Sequence, residues 1–196
     1  SALVASGWVE QDSDGRYGLS LMAARIGNAA LTQAGLGRRI HAILEQLAEE
    51  TGETISIATL NRGQALIVQR AEPDQVLHAD IRIGTQLPLD VGASSLILAA
   101  FALTREQRDV LRERATPLPT EALIGRTHAA GVATTVDEFV AGITAVAVPL
   151  HDSLRFRTVT LTLAGPNARV DTAAAEAALR RGRELINRLA VEPTTP

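Results

Sequence analysis

Residues Thr158 to Ala164 read TVTLTLA, with hydroxyl and aliphatic side chains alternating along the stretch. A period of two is typical of a β-strand, because successive side chains of a strand point to opposite faces. The stretch therefore predicts a strand whose aliphatic face packs on helices. Its other face, made of threonines and Ala164, is either exposed to solvent or forms the wall of a hydroxyl-lined pocket.

A second apolar stretch, Ile143 to Val148, precedes this strand and predicts its neighbour. We expect a loose hairpin over His151–Arg155 to join the two. In the first of these strands Ile143, Ala145 and Ala147 share a face. Small residues at such positions leave either a void or a cavity for a ligand.

Earlier in the chain the pattern predicts further strands and several helices. Strands are expected from Ile55 and from Leu66, on either side of an Asn-Arg-Gly turn, and a third over Leu77 to Ile83. Helical spacing, capping residues and glycine stops predict helices over 19–26, 36–51, 96–101, 104–116, 121–130 and 171–189. This order is typical of an α+β domain in which helices cover one face of an antiparallel sheet.

The N-terminal stretch SGWVEQDSDGRYGLS, residues 6–20, predicts a β-hairpin. Its strands are expected over Trp8 to Glu10 and Arg16 to Leu19, around a turn rich in Asp, Ser and Gly. A lone two-stranded hairpin is only marginally stable in water. The hairpin therefore requires packing partners that the neighbouring sequence does not supply.

Composition excludes several functional classes. The chain has 196 residues and no Cys, so disulfides, thiolate metal sites and cysteine catalysis are excluded. A net charge of -3 argues against nucleic acid binding along the whole surface. No apolar run suggests a membrane span, no secretory signal is visible, and a cytoplasmic location is expected. No two of the four His are spaced as a helical metal pair, so no metal site is expected.

Candidate catalytic groups are few. Ser94-Ser95 follow Gly92 at a loop-to-helix junction and lack the Gly-x-Ser-x-Gly pattern of a nucleophile elbow. The junction is either a plain N-cap or a helix N-terminus that holds a small anion. Asp137 and Glu138 are interpreted as a solvated turn, and His41 as a surface residue. Nothing assembles a nucleophile, base and orienting group, so the chain is not expected to be an enzyme.

Four stretches in order resemble one protein family. They are LAEETGETISIATL (47–60), LPLDVGASS (87–95), GITAVAVPLHD (142–152) and LTLAGPNARV (161–170). They are similar to the effector-binding domain of the IclR family of bacterial transcriptional regulators. The resemblance implies an α+β fold with a curved, GAF/PAS-like antiparallel sheet covered by helices over 35–191. It also implies a winged helix-turn-helix remnant over 1–20, a linker helix over 21–34 and a disordered tail over 192–196.

The resemblance implies an allosteric function. A small effector, often an organic or aromatic acid, binds in the C-terminal domain and changes DNA binding by the N-terminal domain, in homodimers that pair into tetramers. No cofactor, metal or membrane is implied. In the wing, Trp8 and Tyr17 are anchors, while Arg16 either touches a phosphate or is a plain exposed turn end. The effector positions carried over are Ala79, Leu87, Ala93, Ser94, Thr135, Ala145, Thr162 and Ala164.

The sequence departs from the family pattern at several of these motifs. Asp90 stands where the family often has His, and Ser95-Leu96 where it often has Gly-Lys. Ala145 replaces a frequent Cys. If Asp90 faced the pocket, it would repel an acid. One alternative is a stand-alone GAF/PAS-like sensory or dimerisation module, which has no need of a wing. Another is an enzyme with an anion hole in the small-residue loop, which lacks catalytic groups.

Overall fold

A computed structural model describes residues 2–150 and 158–191, with side chains up to residue 189. The N-terminal part contains α1 (Ala2–Ala5), β1 (Val9–Gln11), β2 (Tyr17–Leu19) and α2 (Leu21–Gln33). The predicted hairpin is therefore confirmed, with Val9 paired to Leu19 and Gln11 to Tyr17. Asp12 Oδ1 closes its turn by accepting hydrogen bonds from the backbone N–H groups of Asp14 and Arg16.

This N-terminal part buries little of its own apolar surface. Tyr17 is 64% exposed and Leu19 80% exposed, and α2 contributes no buried side chain. Within the described residues the hairpin region is bonded to α1 through the Trp8 N–H, which donates to the Leu3 carbonyl, and through the Ser6 hydroxyl, which donates to the Ala2 carbonyl. Its side chains are thus left without the core that a hairpin needs.

The larger part of the chain is built on one curled six-stranded antiparallel sheet. Its spatial order is β5-β4-β3-β8-β7-β6. The elements are α3 (Arg38–Thr51), β3 (Thr54–Asn61), β4 (Gln64–Ala71), β5 (Gln86–Pro88), α4 (Ala93–Phe101), α5 (Arg105–Glu113), α6 (Glu121–Ala130), β6 (Ala133–Val136), β7 (Ile143–Leu150), β8 (Val159–Pro166) and α7 (Thr172–Val191).

Local capping chemistry sets several helix ends as predicted. Thr104 and Gln107 form a reciprocal capping box at the start of α5. Asp171 Oδ1 accepts from the backbone N–H groups of Ala173 and Ala174 at the start of α7. Gly52 ends α3 with φ +68°, a left-handed conformation that glycine adopts without steric cost.

The two faces of the sheet carry side chains of different size. Large aliphatic residues on one face, including Ile57 and Leu161, pack against α3 and α7. Gly182 allows close approach there, because a Cβ at this position would lie 2.5 Å from Leu47 Cδ1. On the other face, small residues such as Ala58 and Ala147 pack against α4. The prediction that helices cover one face was therefore wrong, and both are covered.

The strand predicted over Leu77 to Ile83 was also wrong. Residues 72–85 form an irregular segment, and the strand that pairs with β4 is β5, where no strand was predicted. The four-residue strand β6 was missed, because it is too short to show a period. The expected hairpin over 151–155 and the tail over 192–196 lie outside the described residues. No helix in the described part of the chain is long and apolar enough to cross a membrane.

Candidate functional site

A cavity of about 210 Å³ lies between the small-residue face of the sheet and the N-terminus of α4. Two irregular segments close its sides. We call residues 77–81 the wall segment and residues 137–142 the strap. The lining residues are Ser56, Ile67, His78, Ala79, Asp80, Ile81, Leu87, Gly92, Ala93, Ser94, Thr135, Glu138, Phe139, Val140, Ile143, Ala145, Thr162 and Ala164.

The structure brings together all eight residues that the resemblance assigned to an effector pocket. The floor comes from the sheet, where Ala145 pairs with Ala164 across β7 and β8 and with Thr135 across β7 and β6. Thr162 lies beside them on β8. Leu87, Ala79 and the first residues of α4 complete the set. The hydroxyl-bearing face of β8 is thus buried rather than solvent-exposed, with Thr162 only 3% exposed.

The hollow exists because the floor side chains are short. Ala145, Thr162 and Ala164 stand where long aliphatic residues would fill the space, as they do on the opposite face of the same strands. Ser94 Oγ and Thr162 Oγ1 lie 2.8 Å apart, so these buried hydroxyls satisfy each other. The alternating pattern of β8 therefore separates a packed face from a hollow one.

The N-terminus of α4 reaches this cavity through Gly92, Ala93 and Ser94. The N-cap is Gly92, with φ +84°, and no side chain caps the helix. The Ser94 hydroxyl instead lies in hydrogen-bond contact with the Thr162 hydroxyl. The interpretation of Ser94-Ser95 as a plain serine N-cap was therefore wrong. The first N–H groups of a helix lack intrahelical partners, and they favour a negative charge at this end.

Side chains hold the wall segment at three alternate carbonyl groups. The Leu77 carbonyl accepts from Arg169 Nη2 at 2.8 Å, and the Ala79 carbonyl accepts from Thr54 Oγ1 at 2.9 Å. The Ile81 carbonyl accepts from Arg70 Nη1 at 2.7 Å. The segment is irregular, with a tight turn in which the Ile81 N–H donates to the Ala79 carbonyl, and the three carbonyls bond to side chains in place of a neighbouring strand.

Arg169 is itself fixed by a bidentate ion pair with Glu53. Its Nε and Nη2 each lie 2.8 Å from a Glu53 carboxylate oxygen, and this contact raises the pKa of Arg169. The Glu53 side chain is only 6% exposed. It lies across Gly165, where a Cβ would overlap the carboxylate. The wall segment is therefore tied to the sheet through a charge pair whose carboxylate is buried and whose guanidinium is exposed.

The strap is held mainly at its base. Asp137 has φ +60° and accepts hydrogen bonds from the Asn167 side-chain amide and the Gly142 N–H. These two bonds, the first contributing more, lower the pKa of Asp137. Further along, Phe139 and Val140 line the cavity but remain 45% and 47% exposed.

Glu138 makes a contact that the sequence did not suggest. Its Oε2 accepts a hydrogen bond from the Gly92 N–H at 2.9 Å. Asp137 and Glu138 are exposed, as predicted for a solvated turn, but both carboxylates are bonded. The partner of Glu138 lies 46 residues away in sequence, so no local pattern indicates the contact.

The charges at the cavity are acidic. Asp80 and Glu138 line it, and none of the lining residues named above is Arg or Lys. Arg70 and then Arg82 lower the pKa of Asp80 by hydrogen bonding to its carboxylate. His78 Nε2 lies 3.1 Å from Glu72 Oε1. Asp90 is exposed and does not line the cavity, so the repulsion considered for it does not arise there.

Two residues considered in the sequence analysis lie outside the cavity. Arg16 is exposed at the end of the hairpin turn, and His41 lies 3.6 Å from Glu45 on α3. Within residues 2–150 and 158–191, no group of three or more His, Cys, Asp or Glu side chains is placed to hold a metal ion.

Comparisons with known proteins agree with this fold. A family model described as bacterial transcriptional regulator IclR C-terminal matches residues 28–185. The chain is 28% identical to the HTH-type transcriptional regulator BhcR of Paracoccus denitrificans, over 93% of the chain and 71% of that protein. It is 31% identical to the glycerol operon regulatory protein of Streptomyces coelicolor, over 78% of the chain and 64% of that protein. The chain thus spans about two thirds of the length of these relatives.

Solved structures extend the likeness to the whole chain. HmgR of Pseudomonas aeruginosa has a TM-score of 0.79 at 28% identity, with 95% of this chain and 80% of that chain covered. An IclR homologue from Microbacterium hydrocarbonoxydans, complexed with 4-hydroxybenzoate, has a TM-score of 0.79 at 21% identity, with 96% and 82% covered. The second likeness concerns the fold alone.

The family match covers most of the chain, and the matching relatives are regulators rather than enzymes. The sheet, its helices and the order of the four sequence motifs agree with that match. The chain belongs to the IclR family of bacterial transcriptional regulators and is not an enzyme.

Proposed function

We propose that this chain is the effector-sensing part of a transcriptional regulator whose ligand is an organic or aromatic acid bound in the cavity at α4. One observation carries the proposal. The eight positions that the family resemblance assigns to the effector come from six separate parts of the chain, and all line this single cavity.

The chemistry of the cavity supports a small acidic ligand. Its volume of about 210 Å³ is below the range of roughly 300–1,000 Å³ typical of drug-sized ligands. Ile67, Leu87 and Phe139 offer apolar contact for a ring or short chain. The N-terminus of α4 offers N–H groups and a favourable dipole for a carboxylate. A structural neighbour holds 4-hydroxybenzoate, which is an aromatic acid.

The N-terminal part supports a DNA output. We propose that residues 1–20 end a winged helix-turn-helix domain, with the hairpin as its wing, and that α2 is the linker helix. The exposed Tyr17 and the partly buried Trp8 are then anchors to that domain, and Arg16 is placed to touch a phosphate. The regulator acts in the cytoplasm as a homodimer, and two dimers pair.

Coupling requires that the effector bind one arrangement of subunits more tightly than another. An effector that bound both arrangements equally would leave DNA affinity unchanged. The test therefore has to show ligand binding in the cavity and its effect on the full-length regulator.

A thermal-shift screen with organic and aromatic acids, including 4-hydroxybenzoate, tests the proposal. A ligand at a hundred times its Kd stabilises the folded state by about 2.7 kcal/mol, which gives an easily measured shift in Tm. Ala145→Trp should fill the cavity and abolish this shift and the ligand response of DNA binding. The matched control is Thr134→Trp, at an exposed position of β6.

Two results would contradict the proposal. One is a shift that persists in folded Ala145→Trp, because the ligand would then bind elsewhere. The other is the absence of any shift with every acid, which would exclude the acidic ligand class. Loss of the shift in both Trp variants would indicate general damage, and circular dichroism of each variant identifies that case.

A further inference from the structure

The strap places one of the chain's own carboxylates where the proposed ligand's carboxylate would bind. Glu138 Oε2 accepts from the Gly92 N–H at 2.9 Å, at the N-cap of α4. Gly92, Ala93 and Ser94 are the lining residues that begin this helix. The N-terminal end of α4 thus already has an anionic group of the chain itself bonded to it.

Binding two carboxylates at the Gly92 N–H at the same time is energetically unfavourable. A single N–H donates to one acceptor well, and like charges a few ångströms apart repel. None of the described lining residues is Arg or Lys, so no such side chain among them compensates the charge of a second carboxylate. An acidic ligand therefore competes with Glu138 for Gly92.

Glu138 is placed so that it can leave. The residue is exposed, and its neighbours Phe139 and Val140 are about half exposed, so few apolar contacts hold this part of the strap. The base is fixed separately, since Asp137 bonds Asn167 and Gly142. Departure of Glu138 would therefore loosen the strap without opening the strands that flank it, leaving the Val140 carbonyl with its hydrogen bond from the Ile143 N–H.

We propose that Glu138 determines ligand specificity as a built-in competitor, and this inference rests on the proposed function. The carboxylate of an acidic effector replaces Glu138 on the Gly92 N–H and releases the strap. A neutral ligand of the same shape does not displace Glu138 and leaves the strap in place. Effector binding is thereby linked to a change at one side of the cavity.

The first test measures the contact without any ligand. Hydrogen exchange of the Gly92 amide, followed by NMR, should be about tenfold faster in Glu138→Ala if Glu138 occupies this donor about 90% of the time. Asp90→Ala is the matched control, because Asp90 is an exposed acid of the same loop that does not line the cavity. Equal exchange in wild type and Glu138→Ala would overturn the proposal.

The second test compares 4-hydroxybenzoate with its neutral analogue 4-hydroxybenzamide by calorimetry. Glu138→Ala should bind the acid about tenfold more tightly than wild type, with the amide affinity unchanged. Glu138→Gln keeps an acceptor for Gly92 but removes the charge, so it separates hydrogen bonding from repulsion. An equal gain for acid and amide, or no gain for the acid, would overturn the proposal.

The two tests also separate this inference from the proposed function. If neither wild type nor Glu138→Ala binds 4-hydroxybenzoate or any other acid of the screen, the acidic ligand class is wrong. The proposed competition between Glu138 and the ligand for the Gly92 N–H is then wrong as well. If the acids bind but Gly92 exchange does not depend on Glu138, the proposed function stands and Glu138 is not the competitor.

Discussion

The wall segment and the strap close the same cavity from two sides, but they are held in different ways. Side chains from β3, from β4 and from the turn after β8 bond three carbonyls of the wall segment, at Leu77, Ala79 and Ile81. The strap is bonded at its base, at the Val140 carbonyl and through one exposed carboxylate. An irregular segment can thus be held in place by side-chain hydrogen bonds without a neighbouring strand. We expect the strap, and not the wall segment, to move when the cavity changes shape.

The separation in sequence differs as well. Leu77 is 92 residues from Arg169, whereas Asp137 is 5 residues from Gly142. The wall segment can therefore reach its observed position only when β3, β4 and β8 are assembled. The base of the strap combines a local turn between Asp137 and Gly142 with bonds to one distant residue, Asn167. Changes at the anchors of the wall should consequently affect global stability, and changes in the strap should act locally.

The largest expected effect comes from Gly165→Ala. The new Cβ would overlap the Glu53 carboxylate and displace it from Arg169, which loosens the Leu77 end of the wall segment. Overpacking of this kind costs about 2 kcal/mol. The free energy of unfolding, measured with urea, should fall by that amount.

Gly125→Ala is the control, because a Cβ in that helical position meets nothing within 4 Å. It should be neutral or slightly stabilising, since Ala is a better helix former than Gly. Combining Gly165→Ala with Glu53→Ala should cost less than the sum of the two single changes. If the costs in unfolding free energy of Gly165→Ala and Glu53→Ala simply added, the assigned overlap between a Cβ at position 165 and the Glu53 carboxylate would be contradicted.

A smaller effect is expected from Thr54→Val, which removes one of the three anchors of the wall segment. Thr54 is fully buried, and its hydroxyl is bonded to the Ala79 carbonyl. Loss of the donor removes one of the two hydrogen bonds that the Ala79 carbonyl accepts, the other coming from the Ile81 N–H, and should cost about 1 kcal/mol in urea unfolding. Thr134→Val, at an exposed position of β6, should change stability little. Similar losses of unfolding free energy in Thr54→Val and Thr134→Val would contradict the role of the Thr54 hydroxyl as an anchor of the wall segment.

The smallest effect on global stability is expected from the base of the strap. Asp137→Asn keeps an acceptor and tolerates the left-handed backbone, so its Tm near neutral pH should stay close to that of wild type. The pKa of Asp137 is lowered in the folded state. Its contribution is therefore present above the ordinary value of 3.8 and is lost as the pH falls through the lowered value.

Thermal melts of wild type and Asp137→Asn on both sides of pH 3.8 check this sign. Any excess of the wild-type Tm over the Tm of Asp137→Asn should shrink as the pH falls. A difference that grows with acidification would mean that the charged form of Asp137 does not support the strap.

The sequence was most informative where local patterns decide the structure. The alternation in TVTLTLA predicted β8, and Thr104 and Asp171 predicted the starts of α5 and α7. The sequence misled at Leu77 to Ile83, since side chains distant in sequence bond the carbonyls of this irregular segment and no neighbouring strand pairs with it.

The candidate site was predicted in part. The small residues of β7 and β8 pointed to a hollow, but the full set of eight positions came from the family resemblance. Glu138 was missed because its partner, Gly92, is distant in sequence and contributes only a backbone N–H. A backbone donor has no signature in a sequence, so only the fold could place this carboxylate at the cavity.

Spin labelling at two positions tests most directly the claim that one side of the cavity is fixed and the other is free to move. The chain has no Cys, so Leu77→Cys and Val140→Cys each give a single label, and both native side chains are partly exposed, at 65% and 47%. Electron paramagnetic resonance line shapes would be recorded for each label with Glu138 and with Glu138→Ala. The account predicts a clear gain in mobility for the label at 140 and none for the label at 77. An equal change at both positions, or no change at 140, would contradict it.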